Sequence, residues 1–180
     1  MQAAEFMEQF VHDVIAQYEA EVLPSGLLYL ELRMKGHGVL IIEEIIKHRQ
    51  MRVCYWLFDA DGNLIAADAM KGLLSIGPDH AVRVLADTVN GNPIRYANAV
   101  VVAANGKIYF TDASSRFAPK EWGGTFTASI LDIMEQSSTG RVLEYDPVRK
   151  IVRIVAQGLS FANGIALSQD GQTLFVNETG

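Results

Sequence analysis

Three stretches of this chain repeat one pattern, and that repeat restricts the fold more than any other feature. Phe58-Asp-Ala-Asp-Gly-Asn-Leu-Ile-Ala-Ala-Asp68, Val102-Ala-Ala-Asn-Gly-Lys-Ile-Tyr-Phe-Thr-Asp112 and Leu167-Ser-Gln-Asp-Gly-Gln-Thr-Leu-Phe-Val-Asn177 each read as strand, turn with glycine, strand. Their glycines, Gly62, Gly106 and Gly171, lie 44 and 65 residues apart. An insert at 116–138 accounts for the longer interval. Two further pairs keep the register: Gly72–Ile76 with Gly140–Tyr145, and Ala81–Ala86 with Ile151–Ala156. A unit of about 44 residues with four short strands is the size of one propeller blade. A β-sandwich has similar strands but no reason to repeat them.

The strands themselves are read from short β-branched or apolar runs bounded by Gly, Asn, Asp and Pro. They are Leu64–Asp68, Gly72–Ile76, Val82–Ala86, Ala99–Ala103, Ile108–Asp112, Val142–Tyr145, Ile151–Ala156, Gly164–Leu167 and Thr173–Asn177. Hairpin turns at Asp61-Gly62, Asn105-Gly106 and Asp170-Gly171 make the pattern antiparallel. The first 58 residues read differently. Residues 3–21 predict an amphipathic helix, with Phe6, Phe10, Val14 and Tyr18 on one stripe, stopped by Pro24-Ser25-Gly26. Strand candidates follow at 28–34, 39–46 and 51–58. The expected organisation is thus a small α+β segment, 1–58, of no assigned chemistry, followed by propeller-type blades over 59–180.

Charge and cysteine usage exclude several classes. Fifteen basic against 21 acidic residues leave −6, a field that argues against nucleic-acid binding. No apolar run approaches the roughly 18 residues of a membrane span. Met1–Phe10 carries Glu5 and Glu8 and no basic residue, so it lacks the n-region of a secretory signal, and a cytoplasmic location is expected. The single cysteine, Cys54, excludes an intrachain disulfide and a multi-cysteine zinc site. His12, His37 and His80 are scattered, and no Ser–His–Asp order assembles around them.

Polar residues also keep repeat register. Asn98 stands seven residues before Asn105, and Asn163 seven before Asp170, so the two asparagines occupy equivalent positions 65 apart. Each sits where a loop enters a blade's first strand, the strand that surrounds a propeller's channel. Their amide oxygens there can coordinate a hard cation such as Ca²⁺. Asparagine at such a point also simply closes turns. Asp68 and Asp112 end equivalent strands. They either face the channel beside a cation's ligands or bond turn amides.

The segments Asp59–Leu74, Gly106–Phe117, Ser138-Thr-Gly-Arg-Val-Leu-Glu-Tyr-Asp-Pro147, Leu159-Ser-Phe-Ala-Asn-Gly-Ile-Ala-Leu-Ser168 and Val176–Gly180 together resemble strictosidine synthase-like proteins. That group is related to the gluconolactonases, regucalcins and paraoxonases. The resemblance runs over about 59–180 and implies a mainly β chain, part of a six-bladed β-propeller. It implies a central pocket, Ca²⁺ on the axis in many relatives, and hydrolysis of lactones or aryl esters. The plant synthase instead condenses an amine with an aldehyde, using a late-blade glutamate. By motif Asn98 and Asn163 fall on the axial ligand positions. Many relatives follow the first asparagine with aspartate, where this chain has Ala99. The insert 116–138 corresponds to the family's cap, with Trp122 and Phe126 over the pocket mouth.

Six blades need roughly 260 residues, so the 59–180 stretch supplies about two to two and a half. The expectation is a Ca²⁺-dependent lactone or ester hydrolase, incomplete within this chain and acting on a small molecule. The alternative is a non-catalytic binding or scaffold module, or a recombined fragment. Copies of the chain sharing sheets, a homo-oligomer, would complete the stack.

Overall fold

The computed structural model describes the backbone of residues 21–22, 28–29, 39–45, 50–77 and 81–180, and side chains over 59–77 and 81–180. The helix expected at 3–21 lies outside the described residues except Glu21, which is in a strand. Among the described residues the elements in order are β1 (Glu21–Val22), β2 (Leu28–Tyr29), β3 (Val39–Ile45), β4 (Gln50–Phe58), β5 (Leu64–Asp68), β6 (Gly72–Ile76), β7 (Val82–Ala86), β8 (Thr88–Val89), β9 (Asn92–Pro93), β10 (Ala97–Val102), β11 (Ile108–Asp112), the helix α1 (Thr125–Glu135), β12 (Gly140–Asp146), β13 (Ile151–Leu159), β14 (Ala162–Leu167) and β15 (Leu174–Glu178).

Sheets follow chain order: β3-β4-β5-β6-β7, then β10-β11-β12-β13, then the hairpin β14-β15. All pairings are antiparallel. Two strand meanders followed by the first hairpin of a third make a partial β-propeller of about two and a half blades. Strands β4, β10 and β14, each leading into one of the three glycine hairpins, are neighbours, β10 touching both of the others. The boundary expected at 58/59 falls inside the β4–β5 hairpin, where Phe58 pairs with Leu64.

Glycine at φ 77°, 80° and 68° turns the three inner hairpins at Gly62, Gly106 and Gly171, a left-handed backbone that β-branched residues avoid. The third hairpin is one residue longer. Its loop closes from Ser168 to Thr173, whereas the others close from Asp59 to Asn63 and from Ala103 to Lys107. This corrects the alignment of Asn177 with Asp68 and Asp112. Asp112 pairs with Ala97, and the residue paired with the equivalent Ala162 is Glu178. The extra loop residue slides β15 by one position, so Asn177 takes the place of Thr111.

Apolar side chains between the first two sheets form the main core. Ile65, Leu73, Phe110 and Leu143 are essentially without exposure, and Val100 and Ile108 join them. Strand β12 is buried along Gly140–Tyr145 because β11 and β13 flank it and neighbouring layers cover its faces. Its buried acidic residue, Glu144, is 2% exposed. The Lys107 ammonium (3.0 Å) and the Arg153 guanidinium (both contacts 2.7 Å) satisfy it. The Arg153 bonds hold the Glu144 carboxyl down at about 2, against desolvation, with Lys107 helping.

That depression fixes the sign of an acid effect. Glu144 contributes stability above its unfolded value near 4.5 and loses it as pH falls through about 2. Unfolding midpoints of wild type and Glu144→Gln, compared from pH 6 down to about 2, should converge. At neutral pH the variant should be less stable by about 1–2 kcal/mol, allowing for solvent screening of the exposed Arg153. A gap that does not narrow with acid would remove Glu144 from the acid response.

Candidate functional site

The loop between β9 and β10 reaches the inner strands through a buried carboxylate. Asp112 ends β11 with no exposure. Its Oδ1 accepts from the Tyr96 N–H at 2.7 Å and the Arg95 N–H at 3.2 Å. Its Oδ2 accepts from Arg141 Nε at 3.0 Å and from Arg141 Nη2. Arg141 Nη2 also donates to the Pro93 carbonyl at 2.9 Å. Burial raises the Asp112 carboxyl, and Arg141 and the two amides oppose that rise. Glu178 repeats the arrangement in the next unit: its carboxylate accepts from the N–H of Ser160, 65 residues after Arg95. Asp68 accepts from the amides of Met70 at 2.7 Å and Lys71 at 2.9 Å. Of the two roles open to Asp68 and Asp112, the geometry shows bonding of turn amides.

These clamps set the entry of β10 and β14, and with it the two asparagines. Asn98 Nδ2 donates to Asn163 Oδ1 at 3.0 Å. Asn163 Nδ2 donates to Thr179 Oγ1 at 3.0 Å. Beside them is a cleft of about 240 Å³ lined by Ala99, Val100, Asn163, Gly164, Ile165 and Asn177. A Cβ at Gly164 would meet the Asn177 amide oxygen, the end of an exposed side chain that would have to swing aside. No titratable side chain lines this cleft, and among the described residues no group of three or more His, Cys, Asp or Glu is placed to hold a metal.

The insert 116–138 carries helix α1, packed on a small apolar cluster. Helix α1 turns Ala128 and Asp132 inward, both without exposure. Ala128 packs with Ala69, Tyr96, Ala113, Phe117 and Phe161. Tyr96 stands edge-on to Phe161 at 5.4 Å and donates its hydroxyl to the Thr125 carbonyl at 2.9 Å, and burial raises its phenol. Phe126 is 78% exposed and Trp122 43%, the latter edge-on to Phe117 at 5.2 Å. Neither lines the cleft. The half-buried Leu131 and Ile133 of the same helix pack against this cluster as well.

Two groups were not legible from sequence. Arg141 carries no motif signal, since it meets Asp112 only once β11 and β12 pair at Asp112–Arg141. Thr111, without exposure, bonds both to the Ala99 N–H and to the Asn163 carbonyl. Its position opposite the later Asn177 was hidden by the longer third loop.

Arg141→Met should cost about 3–5 kcal/mol in chemical denaturation, because it strands a buried carboxylate. Adding Asp112→Asn should recover part of that loss, since the amide oxygen still accepts from the Arg95 and Tyr96 amides. Equal losses in the single and double variants would refute the assignment of the loss to an unpaired charge.

Comparison with known proteins agrees with this geometry. The strictosidine synthase family profile matches residues 98–180. STRICTOSIDINE SYNTHASE-LIKE 13 of Arabidopsis thaliana is 43% identical over 119 residues, 66% of this chain and 28% of that protein. STRICTOSIDINE SYNTHASE-LIKE 4 of the same organism is 42% identical over 120 residues, 66% of this chain and 30% of that one. The adipocyte plasma membrane-associated protein of Mus musculus is 35% identical over 124 residues, again 66% and 28%. This chain therefore spans under a third of the length of these relatives. Among solved structures, a gluconolactonase from Xanthomonas campestris superposes with a TM-score of 0.54 at 20% identity, over 78% of this chain and 50% of that one. A gluconolactonase candidate gives 0.58 at 16%, over 89% and 55%. Among the described residues no helix is long and apolar enough to cross a membrane. Over about two thirds of its length this chain belongs to the strictosidine synthase-like proteins, on a β-propeller fold.

Proposed function

We propose that this chain forms part of the axial cleft of a propeller hydrolase that acts on a lactone or ester with the help of Ca²⁺. The observation that carries the proposal is the meeting of Asn98 and Asn163, 65 residues apart in repeat register, at 3.0 Å beside the cleft. The donors suit a hard ion: the amide oxygens of Asn163 and Asn177 in the lining, and of Asn98 beside it, are the hard oxygen ligands that Ca²⁺ takes. Carboxylates are absent from the lining among the described residues, and they supply most of a calcium site's affinity. Binding by these residues is therefore weak, in the range of about 10⁻⁴–10⁻³ M. When bound, the cation supplies Lewis-acid polarisation of a substrate carbonyl oxygen. Asn98 and Asn163 orient it, and Val100 and Ile165 give the cleft an apolar wall that excludes water from one side of the substrate. Asp112 and Asp68 act behind this, holding the loops that aim the strands.

One observation favours a second reading, a small-molecule binding module without catalysis. The cleft is lined by amides and aliphatic groups, with no nucleophile or base in view.

At about 10 mM Ca²⁺ the melting temperature should rise by about 3–10 °C over that in EDTA. Asn98→Ala and Asn163→Ala should each abolish the shift. A melting temperature indifferent to both Ca²⁺ and EDTA would sink the calcium site. Turnover of phenyl acetate or a γ-lactone that depends on Ca²⁺ supports the hydrolase. A calcium shift without turnover supports the binding module.

A further inference from the structure

We infer that Thr111 is the positioning residue that sets Asn163 against Asn98; the inference deepens the calcium-cleft reading and rests on it for its functional meaning. Thr111 lies on β11 and has no solvent exposure. Its Oγ1 accepts from the N–H of Ala99, on β10, at 2.9 Å. It donates to the carbonyl of Asn163, on β14, at 2.8 Å. The proton's direction is forced. An amide N–H cannot accept and a carbonyl cannot donate, so the hydroxyl proton points to Asn163.

One hydroxyl thus joins two blades at the residues that matter to the cleft. Ala99 follows Asn98 directly, and the Asn163 carbonyl belongs to the other asparagine. The Asn163 backbone is held by Thr111, and its side chain then meets Asn98 at 3.0 Å. The same bond explains how Ala99 is accommodated. Ala99 is 3% exposed, and its N–H, pointing away from the hairpin ladder at the bulge between Ala97 and Val100, finds its partner in Thr111. In the next blade the place of Thr111 is taken by Asn177, whose amide lies over Gly164 and lines the cleft. Equivalent positions are therefore used differently: a hydroxyl that ties blades together in one, an amide that faces the cleft in the other.

The test uses the 180-residue chain and two readouts. The first needs no calcium: side-chain amide signals of Asn98 and Asn163, assigned with Asn98→Asp and Asn163→Asp, followed by NMR hydrogen exchange. Thr111→Val, which keeps the volume and removes both bonds, should raise exchange of the Asn98 side-chain amide at least about tenfold. Thr111→Ser should stay within about twofold of wild type, because it keeps donor and acceptor. If Thr111→Val does not fold, Thr111→Cys, a weak donor and acceptor, should exchange faster than Thr111→Ser. Wild-type exchange in the valine variant, or in the cysteine variant where valine does not fold, would overturn the inference. The second readout is calcium titration by calorimetry. The dissociation constant should rise about tenfold in Thr111→Val and be restored in Thr111→Ser. An unchanged constant in Thr111→Val also counts against it. Failure of the wild type to bind calcium overturns the calcium reading alone, and amide exchange still decides the role of Thr111.

Discussion

The buried pairing of Asp112 with Arg141 is the interaction on which the local architecture depends. A carboxylate without exposure is costly to ionise unless its oxygens are filled. Here the Arg95 and Tyr96 amides and the Arg141 guanidinium fill them. The consequence is mechanical as well as electrostatic. Three separate pieces of chain, the loop before β10, the end of β11 and the start of β12, are fixed to one atom group. Arg141 carries the tie further to the Pro93 carbonyl. Glu178 takes the Ser160 amide in the following hairpin, so the device recurs with the repeat, though β15 has no arginine partner in the described contacts.

The cleft follows from where those clamps leave the inner strands. Because β10 and β14 enter from equivalent clamped loops, Asn98 and Asn163 arrive side by side. The Thr111 hydroxyl sets their relative height. The lining is neutral, and its polarity comes from amides rather than charge. A cleft of this kind suits weak binding of a hard cation or of a small polar molecule, and it leaves the nearby carboxylates free to serve the scaffold. The cap helix closes a different part of the molecule. It packs alanine against Tyr96 and Phe161 and leaves Phe126 and Met134 to solvent.

Much of the fold was legible because propeller repeats write themselves into turns. The strand bounds 64–68, 72–76, 82–86 and 108–112 coincide with those read from alternation and glycine. What repeat matching missed was one loop residue. Anchoring on glycine placed Asn177 with Asp112, whereas hydrogen-bond register places Glu178 there. Glycine marks the turn but does not count the residues after it, and a slip of one position exchanges the two faces of a strand. The facing of α1 had no local signal: Ala128 and Asp132 are fully buried, Leu131 and Ile133 half-buried against the same cluster, and Phe126 and Met134 exposed.

The sequence by itself determined the repeat, the antiparallel β class, the family and the equivalence of Asn98 with Asn163. The family rests on the resemblance of whole motifs, and the other three rest on local spacing, which backbone geometry and turn chemistry translate directly. Only the tertiary structure decided that Arg141 completes Asp112, that Thr111 bridges two blades and that Trp122 and Phe126 lie outside the cleft. Those facts depend on contacts between residues 12 to 52 positions apart and on which side of α1 meets the apolar cluster, and no local pattern encodes them.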